Sequence, residues 1–513
     1  MIAKRKKKNQ SGFSTLEILM AMFVLILALT AVVSVSFGNQ SLIVDSRTNA
    51  EALNIAQGLL EKAQADSRKD FNLVNPVAAT TTADGFVYRL DVVQTDNFTK
   101  LATAYVDFPE DRGRRGNTRL SAIVANFNNA VGGDTCSSIL LPDAGAWKNP
   151  QIKNTFSNFA FLADVSDNFP VTDVDAYKNK LYVTVNNSSA ATTTVPTFFI
   201  LDSSNPAAIQ PIAAVDNDLA NQSGINAVAV AEDPAAVKTY AYTANASGVS
   251  STGQLQIIDV TNAGSPLVKY SLKLPNVTGS QSVGNSIFYK NGFVYLGLKA
   301  TLNGPEFHII DVHDPLAPAE VGHWPATGNL GNDINAIYVR DRYAYLATPN
   351  SKNLIVLDIS NASAPVLAGS YSDGGGNNGK SVFMVGESLY LGRTVGGTEL
   401  SILDESVPAT TTPPLLGSKA DIDLSVDGII VRGKSAPANS AGFPAIAFLA
   451  TPSDFKALDI SDPTAVSAWG SGISLSGISG NAQFEPVLDC EGNNFFIGST
   501  DASKNGYLSI IAP

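Results

Sequence analysis

Hydrophobic residues follow three patterns along this chain of 513 residues. A nearly unbroken apolar stretch runs from Ile18 to Phe37 and is interrupted only by threonine and serine. Between residues 52 and 63, apolar residues recur every three or four positions, which predicts a helix with one buried face. From about residue 150 onward, short apolar runs separated by turn residues predict strands. The chain therefore divides into a helical beginning and a long β-rich remainder.

The apolar stretch near the amino terminus predicts a membrane helix. Twenty residues in a helix span roughly 30 Å, which is enough to cross a bilayer. A basic run from Lys4 to Lys8 precedes the stretch and predicts that this end stays cytoplasmic. The short apolar region and small-x-small cleavage site of a secretory signal peptide are both missing. We therefore expect a transmembrane helix at about residues 13–37, with the rest of the chain outside the cytoplasm.

A single carboxylate, Glu17, stands just inside the apolar stretch. An unpaired charge there is costly, so an acid at this depth indicates a function. The segment Gly12-Phe13-Ser14-Thr15-Leu16-Glu17 resembles the class III signal of type IV prepilins and pseudopilins. The resemblance implies that a prepilin peptidase cleaves after Gly12, that the new amino group of Phe13 is methylated, and that Glu17 pairs with the amine of a neighbouring subunit during assembly. The alternative is a plain signal anchor with a stray glutamate.

The residues that follow the apolar stretch predict a small pilin-like domain. The helical stripe is followed by β-rich runs at residues 86–93, 101–108 and 118–125. A long helix packed on a small antiparallel sheet is similar to the fold of minor pilins and pseudopilins, so the expected fold class of this part is α+β. The predicted divisions are a leader at 1–12, a pilin-like domain at 13–130, a linker at 131–154 and a repeat domain at 155–513.

The repeat domain is built from an apolar strand that ends in aspartate and precedes a turn. The aspartates are Asp202, Asp259, Asp311, Asp358, Asp404 and Asp459. The spacing of about 52 residues is typical of propellers, and a second strand with an aromatic residue precedes each copy. Four strands in each of seven units predict an all-β seven-bladed β-propeller. The units resemble LVIVD-type repeats known from bacterial surface propellers.

The last unit lacks a fourth strand, so the ring needs a strand from elsewhere. We expect residues Thr155 to Leu162 to supply it, with Phe156, Phe159 and Phe161 taken as the alternating residues of the strand. This pairs the beginning of the domain with its end. The two cysteines, Cys136 and Cys490, are too far apart for a CxxC motif or a zinc knuckle. An exported protein favours a disulfide between them, which would hold the closure together. Two unrelated thiols are the alternative.

Charge and motifs exclude several kinds of partner. The net charge of −12 argues against nucleic acid as a partner of the propeller, because such binders need a basic face. Residues Gly374 to Ser381 match the P-loop expression, but Ser381 to Val385 indicate a strand where that motif needs a helix. The aspartate of each repeat is best explained as a cap on the following turn.

No cofactor is expected, and calcium is left open at two acidic segments. These are Asp216-Asn217-Asp218 and Asp421-Ile422-Asp423, neither of which has the spacing of a calcium loop. The three histidines, His308, His313 and His323, are interpreted as ordinary surface or core residues. No catalytic residue is predicted.

The resemblance implies a minor pilin or pseudopilin that displays an extracellular propeller, near the tip of a type IV pilus-like filament, for adhesion or protein or glycan binding. Its implied partners are other pilin subunits, prepilin peptidase, the inner membrane before assembly and an unknown extracellular ligand. The final location would be the pilus or cell surface. One alternative is an anchored propeller enzyme that acts on an extracellular polymer. Another is a pseudopilin of a type II secretion or DNA-uptake machine. The basic turn at Arg112, Arg114 and Arg115 weakly favours contact with DNA in that case.

Overall fold

The structure, a computed structural model, describes most of the chain. The described residues are 15–69, 74–96, 99–109, 115–125, 143–159, 170–186, 196–215, 224–233, 237–246, 253–277, 283–325, 327–328, 330–349, 352–374, 378–394, 396–405, 412–422, 424–432, 446–475, 487–501 and 503–513. Two compact units divide the chain, residues 1–126 and residues 127–513.

The first unit contains a helix followed by a four-stranded antiparallel sheet. The elements are α1 Thr15–Lys69, β1 Val77–Thr81, β2 Val87–Asp96, β3 Thr99–Pro109 and β4 Arg115–Ala125. The strands are ordered β1-β2-β3-β4. The later part of α1 packs Ala56, Leu60 and Ala63 against Ala104 and Val106 of β3. Strand β1 was not predicted, since its residues are mostly exposed and carry little apolar signal.

Two predictions about the amino-terminal region are wrong. Among the residues that the structure describes, no helix is long and apolar enough to cross a membrane. Spanning a bilayer takes about 20 consecutive apolar helical residues, so the transmembrane helix at about 13–37 and the inner-membrane location are not supported. The predicted fold class, an α+β pilin-like domain before the propeller, is also wrong, because antiparallel sheets make up most of the described structure.

The second unit consists of seven antiparallel sheets, which we call blades 1 to 7. A 3-10 helix at Asp143–Lys148 and strand β5 Gln151–Phe156 precede them. Blade 1 comprises β6 Val171–Ala176, β7 Lys180–Val185, β8 Phe198–Asp202 and β9 Gln210–Val215; blade 2 comprises β10 Ile225–Asp233, β11 Lys238–Asn245, β12 Leu255–Asp259 and β13 Leu267–Leu272; and blade 3 comprises β14 Gly284–Lys290, β15 Phe293–Leu298, β16 Phe307–Asp311 and β17 Ala319–Trp324. Blade 4 comprises β18 Ala336–Arg340, β19 Tyr343–Ala347, β20 Leu354–Asp358 and β21 Val366–Tyr371, and blade 5 comprises β22 Gly379–Val385, β23 Ser388–Arg393, β24 Thr398–Asp404 and β25 Leu415–Ala420. Blade 6 comprises β26 Gly428–Arg432, β27 Ile446–Ala450, β28 Asp454–Asp459, β29 Ser467–Ala468 and β30 Ile473–Ser474, and blade 7 contains β31 Val487–Glu491, β32 Asn494–Thr500 and β33 Gly506–Ala512. A second 3-10 helix, Pro463–Ala465, precedes β29.

The blades form a closed ring. The first strand of each blade contacts the first strand of the next, and β31 of blade 7 returns to contact β6 of blade 1. The first strands therefore line the centre of the ring. Apolar side chains fill the spaces between blades, such as Tyr295 and Phe307 of blade 3 packed with Ile337 of blade 4.

Blade 7 is completed by a strand from the beginning of the unit, as the sequence suggests, but the strand lies earlier than predicted. Strand β5 pairs with β33, with Phe156 opposite Leu508. The predicted strand from Thr155 to Leu162 is wrong in its bounds because its phenylalanines do not alternate along a strand. Phe159 instead packs edge-on against Phe156 at 5.2 Å and Phe199 at 5.3 Å between ring centroids. Phe161 lies outside the described residues.

Trp147 anchors the segment that leads into the closing strand. The 3-10 helix at Asp143–Lys148 places this side chain in the core, where it is fully buried. Its ring lies 5.0 Å from Phe448, 5.1 Å from Phe495 and 6.3 Å from Phe455, measured between centroids. Because these three rings belong to blades 6 and 7, Trp147 ties the incoming chain to the place where the ring closes.

Candidate binding site at the loop mouth

The two faces of the ring are built from different connections. On one face, which we call the turn face, short hairpins such as Asn291-Gly292 join first strands to second strands. The opposite face carries the connections from second to third strands and from fourth strands to the next blade, such as residues 299–306 between β15 and β16. We call it the loop mouth. Longer loops on a rigid scaffold are the usual place for binding residues, so the loop mouth is the candidate site.

The repeated aspartates lie on the turn face and cap turns, as expected. In five blades the Asp Oδ1 accepts a hydrogen bond from the backbone N two residues later. The pairs are Asp202–Ser204 at 2.9 Å, Asp259–Thr261 at 3.1 Å, Asp311–His313 at 3.0 Å, Asp358–Ser360 at 2.9 Å and Asp459–Ser461 at 3.0 Å. Within the described part of the chain, no group of three or more His, Cys, Asp or Glu side chains is placed to hold a metal ion.

A ring of polar side chains stands at the loop mouth, where the first strands begin. We call it the mouth ring; its members are Thr172, Asn226, Asn285, Asn335, Lys380 and Asp427. Four of them donate a hydrogen bond to a backbone carbonyl of the next blade. The bonds are Thr172 to Ile225 at 2.5 Å, Asn226 to Gly284 at 2.6 Å, Asn285 to Ile334 at 2.9 Å and Asn335 to Gly379 at 2.7 Å. These side chains couple neighbouring blades while their polar groups surround the channel opening.

Irregular pairing turns these side chains toward the next blade. The register between first and second strands shifts at this position in blades 1, 2, 3 and 5. A bulge there re-aims a side chain and is common next to functional sites. Sequence reasoning missed the mouth ring, although a polar residue at the start of the first strand in blades 1 to 6 was a readable signal.

Lys380 and Asp427 stand at the start of blades 5 and 6, where the preceding blades have an amide or a hydroxyl. Both carboxylate oxygens of Asp427 are buried and have no hydrogen-bond partner among the residues that the structure describes. Burial raises the pKa of Asp427 to about 7 against the opposing charge of Lys380. Burial lowers the pKa of Lys380, opposed by the charges of Asp427 and Asp333. Lys380 lies in β22, so the P-loop-like segment continues into a strand and not a helix.

Buried polar side chains hold the loops of the mouth in place. Glu306, which is fully buried before the third strand of blade 3, accepts hydrogen bonds from the backbone N of Leu330 and of Gly331. In blade 2, Gln254 at the equivalent position accepts one from Leu274 N at 3.0 Å. These bonds fix the backbone of the connections that lead to the mouth ring.

Two of the three histidines share a carboxylate in blade 3. Glu320 Oε1 lies 2.7 Å from His308 Nδ1 and 3.0 Å from His323 Nδ1. Burial acts to raise the pKa of Glu320, but the hydrogen bonds and charges of His308 and His323 outweigh it and lower the pKa. His313 lies on the turn face and pairs with Asp311 at 2.8 Å. The prediction of ordinary histidines missed this cluster, since a strand pairing brings distant positions together.

Several predicted residues fall outside the described part of the chain. These are Gly12, Phe13, Cys136, Arg112, Arg114, Asp423 and the segment Asp216–Asp218. Glu17 lies on α1, but its side chain is not described. Cys490 is fully buried on β31. The Cys136–Cys490 pairing and the calcium segments stay predictions.

Comparison with known proteins identifies one repeat. Residues 333–373, which include β18 to β21 of blade 4, match the LVIVD repeat. The second unit is a β-propeller-like domain. The propeller prediction is thus confirmed in this coarser form.

Similarity to individual proteins is low. The chain resembles a protein from Lactobacillus plantarum with 13% identity over 59% of this chain and 86% of that chain, at a TM-score of 0.41. It also resembles a chain of Polycomb Repressive Complex 2 from Chaetomium thermophilum bound to GSK126, with 12% identity over 72% of this chain and 99% of that chain, at a TM-score of 0.49. None of the curated proteins matches the chain. These scores carry no conclusion about function.

Proposed function

We propose that the chain is a subunit of a type IV pilus-like filament and displays a ligand-binding propeller. The observation that carries the proposal is the segment from Gly12 to Glu17, which resembles the class III signal and leads into α1. Early residues of α1 such as Met22, Phe23 and Leu27 are 56%, 65% and 55% exposed in the single chain. Exposed apolar surface on this scale needs a partner, and helices of other subunits would supply one.

The propeller is the part of the subunit that meets a ligand. A domain of seven blades is large compared with the first unit, which favours a place near the tip, where it need not repeat along a shaft. The loop mouth offers amide, hydroxyl and charged groups in one ring, which suits recognition of a polar extracellular protein or glycan. All its described amide members donate to the neighbouring blade, so the scaffold of the site is rigid before a ligand arrives.

The mature amino terminus tests filament entry. The full chain is produced with and without a prepilin peptidase, and its amino terminus is read by mass spectrometry. We expect a chain that begins at methylated Phe13 only when the peptidase is present. Persistence of Met1 with an active peptidase, shown by cleavage of a known prepilin in the same cells, would refute the proposal.

Assembly is tested separately from processing. Glu17→Leu removes the carboxylate without changing the cleavage position, and Glu51→Leu makes the same exchange on an exposed part of α1. Sheared filaments from cells that make each variant are probed for the propeller. We expect processed Glu17→Leu to be missing from filaments and Glu51→Leu to be present. Equal incorporation of both variants would contradict the role given to Glu17.

A further inference from the structure

His308 has a hydrogen-bonding pattern that requires one protonation state. Its Nδ1 lies 2.7 Å from Glu320 Oε1 and its Nε2 lies 3.0 Å from the backbone O of Pro305. A carboxylate and a carbonyl only accept, so both ring nitrogens must donate, and only the imidazolium can do this. His308 is fully buried, so water does not replace a bond that is lost.

Glu320 faces His308 from the neighbouring strand β17, and His323 faces the same carboxylate oxygen. These two histidines are the charged groups that act on Glu320 within the described residues. Because Glu320 stays ionised over a wide range, loss of the His308 proton would leave a mostly buried carboxylate without its counter-charge.

The same cluster is connected to the loop mouth. Pro305 is followed by Glu306, whose buried carboxylate accepts from Leu330 N and Gly331 N. Two residues further on, Asp333 accepts from Ala300 N at 2.8 Å. These residues lead directly into Asn335 of the mouth ring. The hydrogen bond from His308 to the backbone O of Pro305 therefore fixes the residue next to Glu306, and Glu306 contacts the start of the segment 330–335.

We propose that protonation of His308 controls the order of residues 330–335, so that ligand binding at the loop mouth depends on pH. This inference rests on the binding role proposed for the mouth. A neutral His308 keeps its Nδ1 proton toward ionised Glu320, because the other tautomer turns a lone pair against the carboxylate. It then loses the bond to Pro305, which loosens Glu306 and the two backbone groups that Glu306 holds.

Hydrogen exchange of the full chain tests the coupling without a ligand. Protection of the peptides that cover residues 330–335 is measured at about pH 5.5 and about pH 8.5, after correction for the intrinsic exchange rate. We expect protection to fall about tenfold or more at the higher pH, the size of one lost hydrogen bond to a charged group. His308→Gln should remove the pH dependence. His313→Gln, on the turn face, should retain it.

Three outcomes would overturn the inference. They are unchanged protection in the wild-type chain, pH dependence that persists in His308→Gln, and equal loss of pH dependence in His313→Gln. If His308→Gln does not fold, the pH dependence of protection in the wild-type chain alone decides whether the inference holds. Failure here leaves filament entry and ligand display standing, because those depend on the mature amino terminus and not on exchange at the mouth.

Discussion

Trp147→Ala should open the place where the ring closes. Truncation of a buried tryptophan typically costs about 3–5 kcal/mol. Its edge-on contacts with Phe448 and Phe495 add to that cost by about 0.5–1.5 kcal/mol each when measured beyond buried area. The indole Nε1 has no hydrogen-bond partner among the residues that the structure describes, so removing it returns about 1–3 kcal/mol. This gain offsets the two ring contacts, and we therefore expect a net loss of about 3–5 kcal/mol in the free energy of unfolding.

The assay is thermal unfolding followed by far-ultraviolet circular dichroism under oxidising conditions. The unit that contains Trp147 runs from residue 127 to 513, and its unfolding entropy of about 2.1 cal/mol/K per residue means that 1 kcal/mol shifts Tm by about 1.2 °C. Trp147→Ala should therefore lower Tm by roughly 4–6 °C. Trp147→Phe keeps an aromatic ring and removes the unpaired N–H, so it should cost less than half as much. A loss below about 1 kcal/mol for the alanine variant, or equal losses for both variants, would refute the anchoring role.

Three further changes follow from single contacts. Asp427→Asn should raise Tm more at pH 8 than at pH 5. The raised pKa of about 7 in the folded protein means that the carboxylate destabilises progressively above its usual pKa of 3.8 and fully above about 7. The gain at pH 8 is at most about 4 kcal/mol, and a larger gain at pH 5 would contradict this sign. Cys490→Ser should lower stability by about 2–5 kcal/mol, and peptide mapping of the non-reduced wild-type chain should link Cys490 to Cys136. Asp259→Ala should cost about 0.5–1.5 kcal/mol through its lost turn bond, and Asp259→Asn, which still accepts, should cost less in the same thermal assay.

The repeats were predictable because each blade carries its own local signals. A third strand that ends in an aspartate such as Asp358 fixes both the strand end and the turn that follows, since the cap is made two residues away. The second strands were equally readable from aromatic residues such as Tyr345. Such signals depend on neighbours in the chain, and one sequence is enough to show them.

The candidate site was not predictable because its contacts connect different blades. Asn335 bonds to Gly379, and His308 meets Glu320 only through the pairing of β16 with β17. The closing strand was misplaced for a related reason. Phe156 and Phe159 were interpreted as alternating residues of one strand, whereas Phe159 packs against Phe199 of blade 1. No local pattern distinguishes a phenylalanine on a strand from one that packs across the ring.

The membrane prediction rested on the length of one apolar stretch and on the basic run that precedes it. The described part of the chain contains no helix that is long and apolar enough to cross a membrane. Early apolar residues of α1 that are described, such as Phe23, are exposed in the single chain, whereas later ones such as Ala56 and Leu60 are buried against the sheet.

Ring closure by β5 also determines where mechanical force enters the propeller. Tension transmitted along the chain from the first unit would reach Cys136 and, through the predicted disulfide, Cys490 on β31 of blade 7, before it reaches Trp147 and β5. The load therefore falls on the one blade made from both ends of the domain, where β5 is bonded to β33. A force that separates β5 from β33 would open the ring at blade 7. The other six blades, each formed from one continuous segment, would carry no direct load. Two features at that blade would set the force that the propeller withstands. They are the packing of Trp147 against aromatic rings and the predicted disulfide at Cys490.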